Sequence, residues 1–149
     1  MYGRSGGGWS TTVAAAVEPR IECSISFFGT LPMSLRLPRE DLIDDPQNRV
    51  DMSDFEQHGL LLWRILDYTD LYALATIPLR THAQIYNEKD ECCFSGSAKG
   101  VLVDGVFTAK YPRIRGFSVR ILPVRSETDH MNLDDQAYMA SQEICPIKR

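Results

Sequence analysis

Apolar and polar residues alternate in three stretches of the chain, and each alternation predicts a strand. Over 20–28, Ile21, Cys23, Ile25 and Phe27 take turns with Glu22, Ser24 and Ser26, the period of two that a half-buried sheet imposes. From Leu79 the same period returns, with Leu79, Thr81, Ala83 and Ile85 opposing Arg80, His82, Gln84 and Tyr86. Residues 117–122 read as a further strand that Pro123 ends. A shorter strand at a sheet edge is predicted over 31–37, where Pro32 removes a ladder donor. Residues 101–108 place β-prone triplets on either side of Asp104-Gly105, which predicts a hairpin or a bulged strand.

The helical period is clearest from Ser53. Ser53-Asp54-Phe55-Glu56 is a capping box, and Phe55, Leu62, Ile65 and Leu66 then share one face, predicting a helix that frays over 68–70. Asn132 caps a weaker final helix to about residue 143, with Leu133, Ala137, Ala140 and Ile144 on its stripe. Residues 38–52 read as a polar surface loop. Gly3, Gly6, Gly7 and Gly8 give the N-terminus the freedom of a mobile arm, with Trp9 as its anchor. The predicted fold is therefore α+β: a small, mainly antiparallel sheet packed by one strong helix, with a weaker C-terminal helix and a flexible N-terminal arm. The predicted division is an arm over 1–19, a core domain over 20–125 and a helical segment over 126–149.

At 149 residues the chain is long enough for one self-sufficient core. Its net charge of −4 argues against general coating of nucleic acid. No apolar run reaches the ~20 residues of a spanning helix, and the N-terminus lacks a secretory pattern. The four cysteines are accordingly expected as reduced thiols in an intracellular, cytoplasmic setting. Their spacing offers no close metal-ligand pair, and no metal or other cofactor is expected. Gly6-Gly7-Gly8 is read as lying away from any strand-to-helix junction, and it lacks the Lys-Ser/Thr of a phosphate loop. His82 with Cys92 or Cys93 is the one local combination for a small thiol-dependent enzyme.

Charge segregation adds more. Lys110, Arg113, Arg115, Arg120 and Arg125 meet no anion between Asp104 and Glu127, whereas Glu40, Asp41, Asp44, Asp45, Asp51, Asp54 and Glu56 meet only Arg49. With Tyr111, Ile114 and Phe117 interleaved, a strand would present the cations on one face and the apolar groups on the other. Three partners fit such a face: anionic lipid, single-stranded RNA stacked on Tyr111, or the acidic segment of another copy. The last uses both charge patches and predicts a heterologous, salt-sensitive homo-oligomer. The expected role is a non-enzymatic assembly protein using Trp9, Asp41, Asp44, Asp45, Lys110, Tyr111, Arg113, Arg115 and Arg120, with a single-stranded RNA-binding module and the small thiol-dependent enzyme as alternatives.

The order of arm, strand, helix and later strands, with Arg113-Ile114-Arg115-Gly116-Phe117-Ser118-Val119-Arg120-Ile121 as a late strand, resembles the rhabdovirus matrix proteins. That resemblance implies a structural virion protein that self-associates through its arm and links a nucleocapsid to an envelope membrane. Tyr68-Thr69-Asp70-Leu71 fits a Tyr-x-x-Leu pattern, whereas a lysine-rich arm and a proline-rich budding motif are missing.

Overall fold

In the computed structural model, strands and helices alternate along the described residues, which are 1–35, 65–87, 97–122 and 135–146. The strands are β1 (Tyr2–Arg4), β2 (Cys23–Phe27), β3 (Thr81–Asn87) and β4 (Phe117–Leu122). The α-helices are α1 (Gly6–Val17), α2 (Tyr68–Thr76), α3 (Ser97–Lys110) and α4 (Asp135–Ile144), and a single 3-10 turn covers Met33–Leu35.

The four strands form one sheet in the order β1-β2-β3-β4, and every pairing is parallel. Ile25 stands opposite Ala83, and Ala83 opposite Ser118. This corrects the expected mainly antiparallel sheet. The alternation in β2 and β3 is real, but its polar members do not face water. Ser24, Ser26, His82 and Gln84 are all fully buried, so the period of two separates an apolar face from a polar one, both covered, and Ser24, His82 and Gln84 bond to one another on the latter. Parallel strands need crossover connections, and α1 and α3 bridge neighbouring strands in turn. Right-handed crossovers that advance steadily across a sheet bring their helices to one face. Gln84 on that face reaches Thr12 of α1, while His82 and Phe117 stack on Tyr72 of α2 at 5.5 and 5.0 Å between ring centres. Phe107 of α3 closes on Phe117 at 4.1 Å. By alternation, Arg120 lies on the opposite face from Phe117, and it pairs with Glu143 of α4 at 2.7 Å.

Other expectations need correction. The supposed arm is β1 and α1: Tyr2 pairs with Ile25 and Arg4 with Phe27. Residues 101–108 lie within α3, not in a hairpin; Val103 and Phe107, four apart, are buried while Asp104 and Gly105 face solvent. Two buried residues at helical spacing outweigh the local turn signal of Asp-Gly. Met33–Leu35 is a 3-10 turn instead of an edge strand. Residues 68–70 open α2 where a fraying helix end was expected, because the Asp70 carboxylate accepts the Asp67 N–H at 2.6 Å. The capping box at Ser53 and the acidic segment lie outside the described residues.

Cys23 and Cys145 form a disulfide across 122 residues of sequence. It ties the start of β2 to the end of α4, contrary to the expected reduced thiols. Cys92 and Cys93 lie outside the described residues. The Arg80 side chain, 7% exposed, donates to the carbonyls of Ala15, Glu18, Leu74 and Ile77. It thereby satisfies orphan acceptors at the ends of both α1 and α2. Among the described residues no helix is long and apolar enough to cross a membrane.

Candidate functional site

At the C-terminal edge of the sheet the chain passes from β1 directly into α1 through one residue, Ser5. Its backbone sits at φ 52 and ψ −124. A non-glycine residue with positive φ costs of order 1–3 kcal/mol and persists only where its surroundings fix it. The surroundings do so: the Ser5 N–H donates to the Phe27 carbonyl at 2.9 Å, and the Ser5 carbonyl accepts the Trp9 N–H at 3.0 Å. Serine at a helix N-cap ordinarily has extended dihedrals and bonds a first-turn amide through its side chain. Here Ser5 is the N-cap, yet its side chain makes no capping bond.

Gly3 and Gly8, on either side of Ser5, are required by close approach, whereas a β-carbon on Gly7 would meet nothing within 4 Å. A β-carbon on Gly3 would lie 2.1 Å from the Gly7 carbonyl oxygen, and one on Gly8 would lie 2.8 Å from the Phe27 carbonyl oxygen. The turn is thus compressed between β1, α1 and the end of β2. The first-turn amides of α1, beginning with Gly6, are the orphan donors of a helix start, at the positive end of its dipole. Gly3-Arg4-Ser5-Gly6-Gly7 therefore has the form Gly-x-Ser-x-Gly at a strand-to-helix turn. That motif was legible in the sequence. Taking the glycines as a mark of mobility hides it, because three residues of Tyr2-Gly3-Arg4 carry no alternation.

A polar network lies beneath the turn. Gln84 accepts from Thr30 Oγ1 at 3.0 Å and donates to Thr12 Oγ1 at 3.1 Å, with His82 Nε2 at 2.8 Å from the same amide nitrogen. Ser24 Oγ is 2.7 Å from His82 Nδ1. This Ser–His contact has the spacing of a catalytic dyad, but both residues are fully buried. Burial, with a smaller contribution from the Arg80 charge, pushes His82 down to about 3, so it is neutral and structural at ordinary pH.

The residues singled out from the charge pattern do not converge. Trp9 is half-buried in α1 and donates its indole N–H to Tyr68 at 3.0 Å. Lys110 pairs with Asp70 at 2.8 Å, and the Tyr111 hydroxyl donates to the same carboxylate. Burial and that hydrogen bond push Tyr111 up to about 12. Burial raises the Asp70 pKa, but its bonds to Lys110, Tyr111 and the Asp67 amide outweigh this and leave it lowered. Arg113 and Arg115 are exposed in the turn before β4, not on a strand face, and Arg120 alone of these cations lies in β4. Phe117 packs inward on Phe107 and Tyr72. Tyr111, Phe117 and the arginines therefore do not line one groove. Asp41, Asp44 and Asp45 lie outside the described residues. Among those described, no three His, Cys, Asp or Glu side chains are gathered to hold a metal ion. No protein-family model, curated protein or solved structure matches the chain.

Proposed function

We propose that the chain is a serine hydrolase acting on carboxylic esters or related acyl compounds, with Ser5 as nucleophile. The observation that carries this is the left-handed Ser5 between strand and helix, its hydroxyl not used for capping. This is the arrangement of the nucleophile elbow in α/β-hydrolases, where the residue after the serine supplies an oxyanion-hole amide. Gly6 holds that position here.

A parallel sheet sends the chain out of every strand at the same edge, so segments leaving β3 at Asn87 and β4 at Leu122 start from the edge that carries Ser5. The sequence next supplies Glu88, Asp90 and Glu91 after β3, and His130 after β4. Serine, then acid, then histidine is the chain order of the α/β-hydrolase triad. These four residues lie outside the described ones, and sequence order alone supports them. We assign His130 as general base and one of the three carboxylates as its orienting acid.

In this reading His130 takes the Ser5 proton as Oγ adds to the acyl carbon, and the Gly6 N–H stabilises the oxyanion. Collapse expels the alcohol, which takes the proton from His130; water, activated by the same histidine, then releases the acid. The assembly role expected from the charge pattern retains Arg113 and Arg115 as exposed cations, and the Ser5 turn is the more specific feature. The Cys23–Cys145 bond supports folding in an oxidising compartment instead of the cytosol.

Hydrolysis of p-nitrophenyl acetate and butyrate tests the reading. Wild type turns over both, and Ser5→Ala and His130→Ala fall by a factor of about 1,000 or more. A Ser5→Ala variant that keeps the wild-type rate removes the proposal.

A further inference from the structure

We propose that Gln84 is a positioning residue for the Ser5 turn, clamping through its one amide group the two backbone segments that meet beneath it. This deepens the hydrolase reading and rests on it. One segment is the first turn of α1: Gln84 Nε2 donates to Thr12 Oγ1 at 3.1 Å, and Thr12 Oγ1 donates to the Gly8 carbonyl at 3.2 Å. The other is the stretch after β2: Gln84 Oε1 accepts from Thr30 Oγ1 at 3.0 Å, next to Gly29. Gly8 and Gly29 are themselves pressed together, a Gly29 β-carbon falling 2.4 Å from the Gly8 carbonyl carbon. The backbone contact and the Gln84 side chain therefore hold the same two segments from different directions.

The donor order follows from a Gln84 amide with its oxygen toward Thr30 and its nitrogen toward Thr12. Thr30 gives its proton to Gln84 and so accepts from Tyr72 at 2.9 Å. Gln84 donates its second amide hydrogen to His82 Nε2, which leaves Nδ1–H to donate to Ser24 Oγ. A neutral His82 of this tautomer is matched to this orientation of the Gln84 amide. All of these side chains are buried, where an unpaired polar group is costly, so each member of the network is held to its partners.

The test uses Gln84→Met, which removes every bond at similar volume, together with Thr12→Val and Thr12→Ser. The main readout is hydrogen exchange at the Trp9 amide, which donates to the Ser5 carbonyl, measured beside global stability. Gln84→Met and Thr12→Val speed that exchange about tenfold beyond their global effect, the size one lost hydrogen bond produces; Thr12→Ser restores protection. With p-nitrophenyl butyrate both lower kcat about tenfold and leave KM unchanged. Trp9 exchange that follows global stability alone in Thr12→Val overturns the proposal, as does a lowered affinity with kcat intact. If Gln84→Met does not fold, Thr12→Val decides. Loss of the hydrolase reading itself shows separately, as Ser5→Ala activity equal to wild type.

Discussion

Gly8 and Gly29 meet backbone to backbone, so closely that a β-carbon on Gly29 would stand 2.4 Å from the Gly8 carbonyl carbon and from the Trp9 nitrogen. The first turn of α1 thereby rests on the end of β2. Adding a methyl group at Gly29 forces main chain apart, not merely side chains. Gly29→Ala should lower unfolding free energy by about 3 kcal/mol and weaken any Ser5-dependent activity, as urea denaturation beside an ester assay will show. A stability equal to wild type contradicts the packed turn.

Gly105 is the opposite case. It lies inside α3 on an exposed face, and a β-carbon there would meet nothing within 4 Å. Gly105→Ala should stabilise the protein by about 1 kcal/mol, read as a higher urea midpoint. If residues 101–108 were instead a hairpin turning at Asp104-Gly105, the same substitution would destabilise.

The disulfide joins residues 122 apart in sequence. Closing so long a loop restricts the unfolded chain, and its removal should cost about 4 kcal/mol. Cys23→Ser/Cys145→Ser and dithiothreitol-treated wild type should show the same loss in denaturant titration. Equal stability with and without the bond counts against it.

Acid should weaken the fold in two overlapping steps. His82 takes up a proton near 6.5 when unfolded but only at about 3 when folded, so the unfolded state binds more protons between those values and stability falls as pH drops through them. Asp70 is lowered in the folded state, so its contribution is present above the ordinary carboxylate range and is lost as pH falls through its folded pKa. Alkali acts through Tyr111, raised to about 12 when folded: the unfolded chain loses this proton near 10, and stability falls from there upward. Stability curves of His82→Gln and Tyr111→Phe, compared with wild type, check both limbs. A wild-type acid slope retained in His82→Gln removes the histidine from the account.

Strands were legible in the sequence where side chains obey the sheet period: β2, β3 and β4 fall where Ile25, Ala83 and Val119 stand in alternating runs. Strand direction was not, because alternation usually marks a face open to water, and here Ser24, His82 and Gln84 supply the polar half while bonding to each other out of solvent. Nothing local distinguishes those cases. Helix α3 was hidden by Asp104-Gly105, a short-range signal that burial of Val103 and Phe107 overrides. The Ser5 turn was legible as a motif but concealed by composition. Gly3 and Gly8 are there for close approach, not for freedom, and only the positions of Gly7, Phe27 and Gly29 reveal that.

The hydrolase proposal stands or falls on the reactivity of the Ser5 hydroxyl. Incubating the intact chain with a fluorophosphonate, then digesting it and sequencing peptides by mass spectrometry, tests it most directly. One phosphonylated site is expected, at Ser5, absent from Ser5→Ala and strongly slowed in His130→Ala. Labelling that misses Ser5, or that proceeds equally well in His130→Ala, would contradict it.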